Sequence, residues 1–397
     1  MIHTAGVRPT GAPSVAIVGI HGYGASHVEH ALELQAQDRI RLVGLVDPLV
    51  GPIHRDGRVI DLDQLPPISP DLDTLLASVH VDIVIIATPL HTHRAVAEIA
   101  LRAGADVLLE KPPVTTLDDF DELVALSKEC GARVQVGFQS LGSLALPALK
   151  DAIAEGALGT IESIATYGSW TRDRRYWTRA SWAGRRELHG RPVVDGVVTN
   201  PFAHAVMTAL SIAGWDTPDA IDSAELDLYR ANEIEADDTS SFRLRPSATG
   251  SATFDGVLSG AFTLAGPRAD SPAIVVRGTL GSAHLDYIND RLILDRNGTP
   301  VETQYGRVDL FENLLEHRVD GQPLLAPLEK TGAFVRFVEE VAANPVRAID
   351  ASFVDWRGQE LDTHPVIDGI DDDVRNAALN GRLFRETGAT WAAGKAN

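Results

Sequence analysis

Three glycines near the N-terminus have the setting of a phosphate-binding loop. The segment VAIVGIHGYGASHVEHALEL (15–34) places Gly19, Gly22 and Gly24 between a β-branched run and an amphipathic stretch. In such loops the first glycine permits a tight turn, the second admits a pyrophosphate, and the third lets the helix pack on the strand. Gly19 and Gly24 hold the first and third positions, and the middle position falls to His21 or, one residue late, to Gly22. The loop alone indicates either a nucleotide site or a plain strand–helix turn.

An acid follows at the end of the second apolar run, RIRLVGLVDP (39–48). Asp47 is placed to accept hydrogen bonds from the adenosine ribose hydroxyls and to repel a 2′-phosphate. The alternative is a turn acid before Pro48. The loop and the acid together predict a dinucleotide site with NAD as the cofactor and NADP disfavoured.

Arginines and aromatic residues are interleaved in SWTRDRRYWTRASWAGRRELHGR (169–191). Aromatic faces stack on sugar rings, and arginine forks bind carboxylate or phosphate in pairs. The segment is therefore predicted to wall a pocket for a polyhydroxylated ligand, including an anionic one. The alternative is a solvated loop whose arginines pair with acids of the chain or of a neighbouring subunit. The candidate substrate residues here are Trp170, Arg172, Tyr176 and Trp177.

Other chemistries find little support in the sequence. The 13 histidines show no metal-ligand spacing except His91-x-His93, so no metal is expected. No G-x-S-x-G motif is present for a nucleophilic serine. The single cysteine, Cys130, excludes an internal disulfide and suits a reducing compartment.

Charge and hydropathy limit the partners and the location. A net charge of −20 disfavours nucleic acid and anionic lipid surfaces. The N-terminal segment has no apolar stretch typical of a signal peptide, and no run approaches the roughly 20 apolar residues of a membrane span. A cytoplasmic protein is expected.

The order of elements predicts two domains, since 397 residues exceed what one hydrophobic core usually organises. Short β-branched strands and helices alternate up to about residue 140, which predicts a doubly wound parallel sheet. Successive short strands broken by Gly, Pro, Asn and Asp follow over 219–296, among them the runs GSATFDGVL (250–258), GAFTLAG (260–266) and AIVVRGTLGSAHLDYI (273–288). Helices return at 309–317, 327–343 and 368–387. The prediction is an α/β domain over 1–140 and an α+β domain with a mostly antiparallel sheet over 141–397, whose C-terminal helix is a candidate to pack back on the first domain.

Two short motifs carry a family resemblance. TPLHTH (88–93) and EKPP (110–113) follow predicted parallel strands, and GFQ (137–139) comes after them. With the glycine loop, they make the chain similar to the glucose–fructose oxidoreductase / inositol dehydrogenase (Gfo/Idh/MocA) family. The resemblance implies a Rossmann domain joined to a domain with a large open sheet, which forms the interface of homodimers or homotetramers. It also implies hydride transfer at a hydroxyl or carbonyl of a sugar, polyol or related molecule.

The resemblance also implies roles for individual residues. Lys111 matches the lysine beside nicotinamide and substrate, where its ammonium can hydrogen-bond the reacting oxygen and relay its proton. Partial desolvation beside a nicotinamide cation is expected to lower its pKa. The other positions implied on the cofactor side are Thr88, Pro89, His93, Glu110 and Gln139.

The sequence departs from the family pattern in GRPVVDGVVTNPFAHAVMTAL (190–210). The family shows an acid and then a histidine four residues later, whereas here Asp195 is followed by Thr199. Either Asp195 keeps its role and the histidine is lost, or Asn200 and His204, four apart on one helical face, form a displaced pair. Asp195 and His204 therefore join Lys111 as candidate catalytic residues, and Asn200 and His204 as candidate substrate contacts. A core histidine is the alternative for His204.

The sequence favours an NAD-dependent oxidoreductase acting on a carbohydrate-like alcohol, with Lys111 and either Asp195 or His204 moving the proton. One alternative is cleavage of a glycosidic bond through transient oxidation by a retained NAD. The other is a non-catalytic sensor of nucleotide and sugar, which the threonine at position 199 favours and Lys111 opposes.

Overall fold

The computed structural model describes residues 11–49, 51–60, 65–248 and 254–392. They divide into two compact units. The first comprises the residues up to Pro113 with Asp121–Val136, and the second comprises Val114–Phe120 with the residues from Gly137 onward. The N-terminal segment without an apolar stretch lies outside the described residues over positions 1–10.

The first unit is built on a parallel sheet. Buried β-branched runs such as SVAIV form its strands because both faces are covered by helices. Among the described residues six strands pair in the order β5-β2-β1-β6-β7-β8, all parallel. A small β3–β4 hairpin lies outside this sheet. The elements are β1 Ser14–Val18, α1 Gly24–Ala36, β2 Arg41–Val46, β3 His54–Arg55, β4 Arg58–Val59, β5 Ile68–Ser69, α2 Leu72–Leu76, β6 Ile83–Ile86, α3 His93–Arg102, β7 Asp106–Leu109, α4 Leu117–Cys130 and β8 Val134–Val136; α4 begins in the second unit and continues into the first.

The second unit is built on a mixed sheet, called the large sheet below. Within the described ranges it has nine strands in the order β18-β17-β16-β15-β9-β14-β13-β12-β19. The β9–β14 and β12–β19 pairs are parallel and the other pairs are antiparallel. Its elements are α5 Ala145–Ala154, β9 Ile161–Thr171, α6 Arg174–Thr178, β10 Glu187–Leu188, β11 Arg191–Pro192, α7 Ala203–Ala213, β12 Ile221–Arg230, β13 Thr239–Pro246, β14 Val257–Thr263, β15 Ala265–Gly278, β16 Gly281–Asp286, β17 Arg291–Arg296, β18 Thr299–Gln304, α8 Leu310–Asp320, α9 Gly332–Ala343, β19 Val346–Ala348, β20 Asp355–Arg357, β21 His364–Val366, α10 Ile370–Leu379 and α11 Phe384–Thr387.

Helices cover both faces of the large sheet. Gly168 on β9 lies against the ring of Phe202, just before α7. The next residue, Ser169, points to the opposite face and donates a hydrogen bond to Asp371 of α10 at 2.5 Å. Helix α10 packs on β9, β14 and β15, so the C-terminal helix lies on the sheet of its own unit. An apolar cluster that includes Tyr167 and Trp391 fills the interface between α10 and the large sheet.

The predicted fold class is confirmed: a Rossmann-type parallel sheet is followed by a unit with a mostly antiparallel sheet. Three element predictions were wrong in detail. The predicted helix over 368–387 is split into α10 and α11, because Gly381 takes a positive φ of 61° between them. The run AIVVRGTLGSAHLDYI is a hairpin of β15 and β16 with its turn at 279–280. The runs GSATFDGVL and GAFTLAG were predicted as two strands, but one strand, β14, crosses the predicted break; residues 249–253 lie outside the described residues.

Strand β14 continues through the predicted break for a packing reason. The break was predicted between Leu258 and Gly260, and a Cβ on Gly260 would lie 2.2 Å from the ring of Phe242. The glycine therefore allows close packing within a continuous strand. In the part of the chain that the structure describes, no helix is long and apolar enough to cross a membrane.

Candidate functional site

The glycine loop connects β1 to α1 at the carboxyl end of the parallel sheet. Gly19 has a φ of 81°, and a Cβ there would lie 2.6 Å from the carbonyl oxygen of Ala87. A Cβ on Gly24 would lie 1.9 Å from the carbonyl oxygen of Gly19. By contrast, a Cβ on Gly22 would meet nothing within 4 Å. The first and third glycines are thus required by packing, and the loop leaves open space at Gly22.

Helix α1 begins with backbone N–H groups that no side chain caps. The side chain of its N-cap residue, Tyr23, makes no capping hydrogen bond, the first turn carries no acid, and the N–H groups of Gly24 and Ser26 donate to backbone carbonyl oxygens. Such an N-terminus favours an anion through the helix dipole. The ring Nε2 of His21 lies 3.3 Å from the carbonyl oxygen of Leu49, so this side chain turns toward the segment after β2. Open space at Gly22 and an uncapped helix start fit the pyrophosphate of a dinucleotide.

Asp47, directly after β2, holds the glycine loop in place through hydrogen bonds. The carboxylate is 7% exposed; its Oδ2 accepts the N–H of Ile20 at 3.0 Å and its Oδ1 accepts the N–H of Leu49 at 2.9 Å. Each carboxylate oxygen can accept a second hydrogen bond, so the group keeps capacity for ribose hydroxyls. Sequence reasoning missed the contact with Ile20, because spacing alone does not show which way the loop folds.

His93 joins the two motif loops of the first unit. Its Nδ1 lies 2.9 Å from the carbonyl oxygen of Pro112, and its Nε2 lies 2.9 Å from that of Thr88. Burial lowers the pKa of His93 and so favours the neutral imidazole. Both ring nitrogens face the backbone, so the side chain positions the TPLHTH and EKPP loops. Pro89 lies in the first of these loops, directly after Thr88.

Glu110 and Lys111 follow β7 at the same edge of the parallel sheet. The Oε1 of Glu110 lies 2.9 Å from Nε2 of His27 on α1, and its Oε2 accepts the N–H of Lys111 at 3.3 Å. Lys111 is partly exposed, and its peptide bond to Pro112 is cis. His27 was missed by sequence reasoning; its place one helical turn after Gly24 is the only signal, and it is weak. The contact ties the glycine-loop helix to the EKPP motif.

Asp195 in the second unit is buried and held by donors from three directions. Its Oδ2 accepts the N–H of Gly184 at 2.7 Å and a hydrogen bond from Arg179 at 3.2 Å. Its Oδ1 accepts a hydrogen bond from Nδ2 of Asn200 at 2.5 Å. The carboxylate is 4% exposed. The structure therefore brings together Asp195 and Asn200, which the sequence had assigned to competing alignments.

Thr199 stabilises the turn that carries Asp195. Its hydroxyl donates to the carbonyl oxygen of Val194 and accepts the N–H of Gly196 at 3.0 Å. Val194 has a φ of 47°, which is unfavourable for a β-branched residue. Where the family pattern has a histidine, this chain thus has a buried turn residue whose hydroxyl is occupied.

Aromatic rings and guanidinium groups alternate beside Asp195. The guanidinium carbon of Arg179 lies 3.7 Å from the ring centroid of Tyr176 and 4.6 Å from that of Trp182. That of Arg172 lies 5.1 Å from Tyr176 and 4.8 Å from Trp170. These distances are typical of cation–π contacts. We call this row of five residues the stacked ladder.

The Tyr176 phenol in the stacked ladder stays in one protonation state at neutral pH. Burial, reinforced by the negative charge of Asp195, raises the pKa of Tyr176 to about 12, so the phenol stays protonated at neutral pH. Trp170 continues the row toward the core by packing on Phe202, with ring centroids 4.3 Å apart. The ladder thus connects the arginine-rich segment to the start of α7.

The remaining predicted residues of the second unit are spread out. Trp177 meets the edge of Tyr176 and is buried beside Gly184. The ring of His204 lies edge-on to Phe138, with centroids 6.0 Å apart. The carbonyl oxygen of Gln139 accepts a hydrogen bond from Arg307 at 2.7 Å.

A further acid, Asp237, lies beneath the Asp195 turn and was missed by the sequence analysis. It is fully buried, its Oδ2 accepts a hydrogen bond from Ser240 at 2.6 Å, and its Oδ1 has no partner among the described residues. A Cβ on Gly196 would lie 2.0 Å from that Oδ1. Burial raises the pKa of Asp237 to about 6. Within the described ranges, no group of three or more His, Cys, Asp and Glu side chains is arranged to hold a metal ion.

The first unit has the features of a dinucleotide-binding Rossmann domain, and a comparison with known families identifies it. Residues 14–138 match the oxidoreductase family with an NAD-binding Rossmann fold whose sequence model is named GFO_IDH_MocA. The match covers residues 14–138 of the 397, so this part of the chain is similar to the NAD-binding domain of the Gfo/Idh/MocA family, as the sequence motifs predicted.

The sequence similarity to individual relatives covers a smaller part of the chain than the similarity in fold does. A 1,5-anhydro-D-fructose reductase of Ensifer adhaerens is 36% identical over 22% of this chain and 26% of its own length. A D-xylose dehydrogenase of Paenarthrobacter nicotinovorans is 32% identical over 34% of each protein. The chain thus spans a quarter to a third of the length of these relatives.

A solved structure extends the similarity to most of the chain. The WlbA dehydrogenase from Bordetella pertussis, in complex with NADH and UDP-GlcNAcA, matches with a TM-score of 0.64 and 20% identity over 83% of this chain and 96% of that protein. At this identity the match establishes the two-part fold.

Proposed function

We propose that the chain is an NAD-dependent dehydrogenase or reductase acting on a hydroxyl or carbonyl group of a sugar, polyol or sugar-acid-like molecule. The observation that carries the proposal is the combination of open space at Gly22, the uncapped start of α1 and the buried carboxylate of Asp47. The named relatives, a reductase and a dehydrogenase of sugars, support this class of substrate. A cytoplasmic location is part of the proposal.

The chain's own residues would bind and orient the cofactor. The positive end of the α1 dipole would attract the pyrophosphate to the open space at Gly22, and Asp47 would accept hydrogen bonds from the ribose hydroxyls. His93, fixed between Thr88 and Pro112, keeps the TPLHTH and EKPP loops in register on the proposed nicotinamide side. Bound NAD supplies the acceptor or donor of the hydride.

Proton transfer is assigned to Lys111. When the substrate is oxidised, the neutral amine of Lys111 would take the proton of the reacting hydroxyl, and when the substrate is reduced, the Lys111 ammonium would donate a proton to the reacting oxygen. Asp195 is assigned a positioning role, because its carboxylate already accepts hydrogen bonds from Gly184, Arg179 and Asn200. His204 remains the candidate second proton carrier.

A second candidate function, a non-catalytic sensor of nucleotide and sugar, is favoured by two observations. The hydroxyl of Thr199 is taken up by its own turn, and the carboxylate of Asp195 is saturated by neighbours from the second unit. A sensor would bind NADH and a sugar without turnover.

The test is a titration with NADH and NADPH, read by energy transfer from tryptophan, followed by turnover assays on neutral and acidic sugars. Asp47→Asn should weaken NADH binding about tenfold or more and reduce the preference over NADPH, since it removes the charge that repels a 2′-phosphate. Asp38→Asn is the matched control, because Asp38 is exposed after α1 and has a positive φ of 57° that asparagine tolerates. Binding of neither nucleotide by the wild type would refute the proposal.

The proton-transfer role is tested separately with Lys111→Met. This variant should keep NADH affinity within about threefold and lose turnover by about 100-fold or more, the range for general acid–base catalysis. Lys128→Met, at an exposed position on α4, is the control. Wild-type binding of NADH and sugar with no turnover would favour the sensor.

A further inference from the structure

A cavity of about 510 Å³ in the second unit has a lining suited to an anionic ligand. Its volume lies within the range of small-molecule sites. Guanidinium groups, carboxylates and two indole rings face the same space, which is lined by Arg174, Trp177, Arg185, Arg230, Glu235 and Trp356. Arg230, Glu235 and Trp356 lie outside the arginine-rich segment, so their positions along the chain do not indicate that they share a cavity.

Two arginines of this cavity lack acidic partners. Within the described ranges, neither Arg174 nor Arg230 forms an ion pair or a side-chain hydrogen bond. Their neighbours differ: Arg175 pairs with Asp362 at 2.7 Å, and Arg179 pairs with Asp195 at 3.2 Å. The cavity is lined by three arginines and two glutamates, and in a chain with 55 acidic and 35 basic side chains, two guanidiniums that pair with neither glutamate indicate a place for an external anion.

The aromatic residues of the cavity provide apolar surfaces beside the charges. Trp177 is 9% exposed and forms a buried wall, whereas Trp356 is 41% exposed. The guanidinium of Arg174 lies 5.9 Å over the ring of Trp356. The carboxylates of Glu233 and Glu235 offer acceptors for hydroxyl groups. An indole face, unpaired arginines and hydroxyl acceptors together match a ring that carries both hydroxyls and a negative charge.

We infer that this cavity binds the anionic group of a carbohydrate-like small molecule, a carboxylate or a phosphate, through Arg174 and Arg230. The sugar ring packs against Trp356. The cavity is separate from the stacked ladder but adjoins Asp195, because Gly184 both lines the cavity and donates its N–H to that carboxylate. The inference concerns binding alone and does not depend on the proposed oxidoreductase activity.

The experiment is a calorimetric titration of the full chain with D-glucuronate, D-glucose 6-phosphate, D-glucose and inorganic phosphate in a low-salt, phosphate-free buffer. One of the two anionic sugars should bind at least tenfold more tightly than glucose, and the comparison of the two identifies carboxylate or phosphate as the preferred anion. Equal affinity for glucose, or binding of neither anionic sugar, would overturn the inference.

Variants locate the binding. Arg174→Gln and Arg230→Gln should each weaken the preferred anionic sugar about tenfold or more, since each removes charge-assisted hydrogen bonds. Arg175→Gln is the matched control, because it removes the same charge from the same short helix at a residue that does not line the cavity. An equal loss in all three variants would indicate a general field effect and refute the assignment. Arg174→Lys, which keeps the charge but not the fork, should show an intermediate affinity.

NADH affinity measured on the same proteins separates this inference from the proposed function. Arg174→Gln and Arg230→Gln should leave NADH binding within twofold of the wild type. A wild type that binds NADH but no anionic sugar refutes only the cavity assignment. A wild type that binds the anionic sugar but no dinucleotide refutes only the oxidoreductase proposal.

Discussion

Replacement of Arg179 by methionine tests whether the buried charge of Asp195 depends on the stacked ladder. The guanidinium of Arg179 donates to Asp195 at 3.2 Å and lies between the rings of Tyr176 and Trp182. Removal of one partner of a buried ion pair costs about 3–5 kcal/mol. Because the Arg179 side chain is 27% exposed and Asp195 keeps two neutral donors, the lower part of that range applies. Loss of two cation–π contacts adds about 1 kcal/mol.

We therefore expect Arg179→Met to lower the free energy of unfolding by about 4 kcal/mol, about 3 from the ion pair and about 1 from the cation–π contacts. The control Arg175→Met removes an ion pair whose side chains are 65% and 71% exposed, and it should cost less than about 1 kcal/mol. Urea unfolding followed by tryptophan fluorescence is the assay, because all 6 tryptophans lie between residues 170 and 391, in the second unit.

A double-mutant cycle isolates the charge. In an Asp195→Asn background, Arg179→Met should cost about 2 kcal/mol less than in the wild type, because no buried carboxylate is then left unpaired. An equal cost in both backgrounds would show that the ion pair contributes nothing, and the structural role assigned to Asp195 would fail.

Two further predictions concern the glycine loop and the buried acid. Gly24→Ala should destabilise the first unit by about 2 kcal/mol or more and weaken NADH binding, since its Cβ would lie 1.9 Å from a backbone oxygen; Gly22→Ala has open space and should cost only about 1 kcal/mol for its positive φ. Thermal unfolding by circular dichroism compares the two, and equal stabilities would contradict the packing argument. The folded-state pKa of Asp237, about 6, exceeds the unfolded value of 3.8, so its contribution to stability is present at low pH and lost as the pH rises through 6. Between pH 7.5 and pH 5 the wild type should gain about 1 kcal/mol relative to Asp237→Asn in urea unfolding, and parallel pH profiles would refute the assigned pKa.

The fold could be predicted from the sequence where the local pattern of a strand also indicates how that strand pairs in the sheet. The buried strands of the first unit are continuous β-branched runs, and strand–helix alternation leaves a parallel sheet as the natural arrangement. In the second unit the strands were found, but their pairing was not. The parallel β9–β14 pair joins Ile164 to Leu258 across a long stretch of chain, and no local pattern records such a partner.

The candidate site likewise contains features set by neighbours in sequence, which could be predicted, and features set by distant contacts, which could not. Gly19 and Gly24 were predicted to allow a tight turn and close helix–strand packing, and the structure leaves no room for a Cβ at either position. Their role in cofactor binding stays a prediction. The order of residues in the stacked ladder could not be predicted from the sequence, because Arg179 contacts the rings of Tyr176 and Trp182 only after the loop has folded. The pairing of Asp195 with Asn200 likewise depends on a turn that includes the positive φ of Val194. The predicted roles of these residues in catalysis stay predictions.

The packing of α10 on the large sheet has a consequence for synthesis of the chain on the ribosome. Ser169 on β9 meets Asp371 across 202 residues of sequence, and Tyr229 donates to the carbonyl oxygen of Ala392 across 163. The apolar face around Tyr167 therefore stays uncovered until nearly 390 residues have been translated. Nascent chains that pause before this point expose that surface to other chains in the crowded cell. We expect synthesis to depend on chaperones that hold the sheet until its last helix emerges.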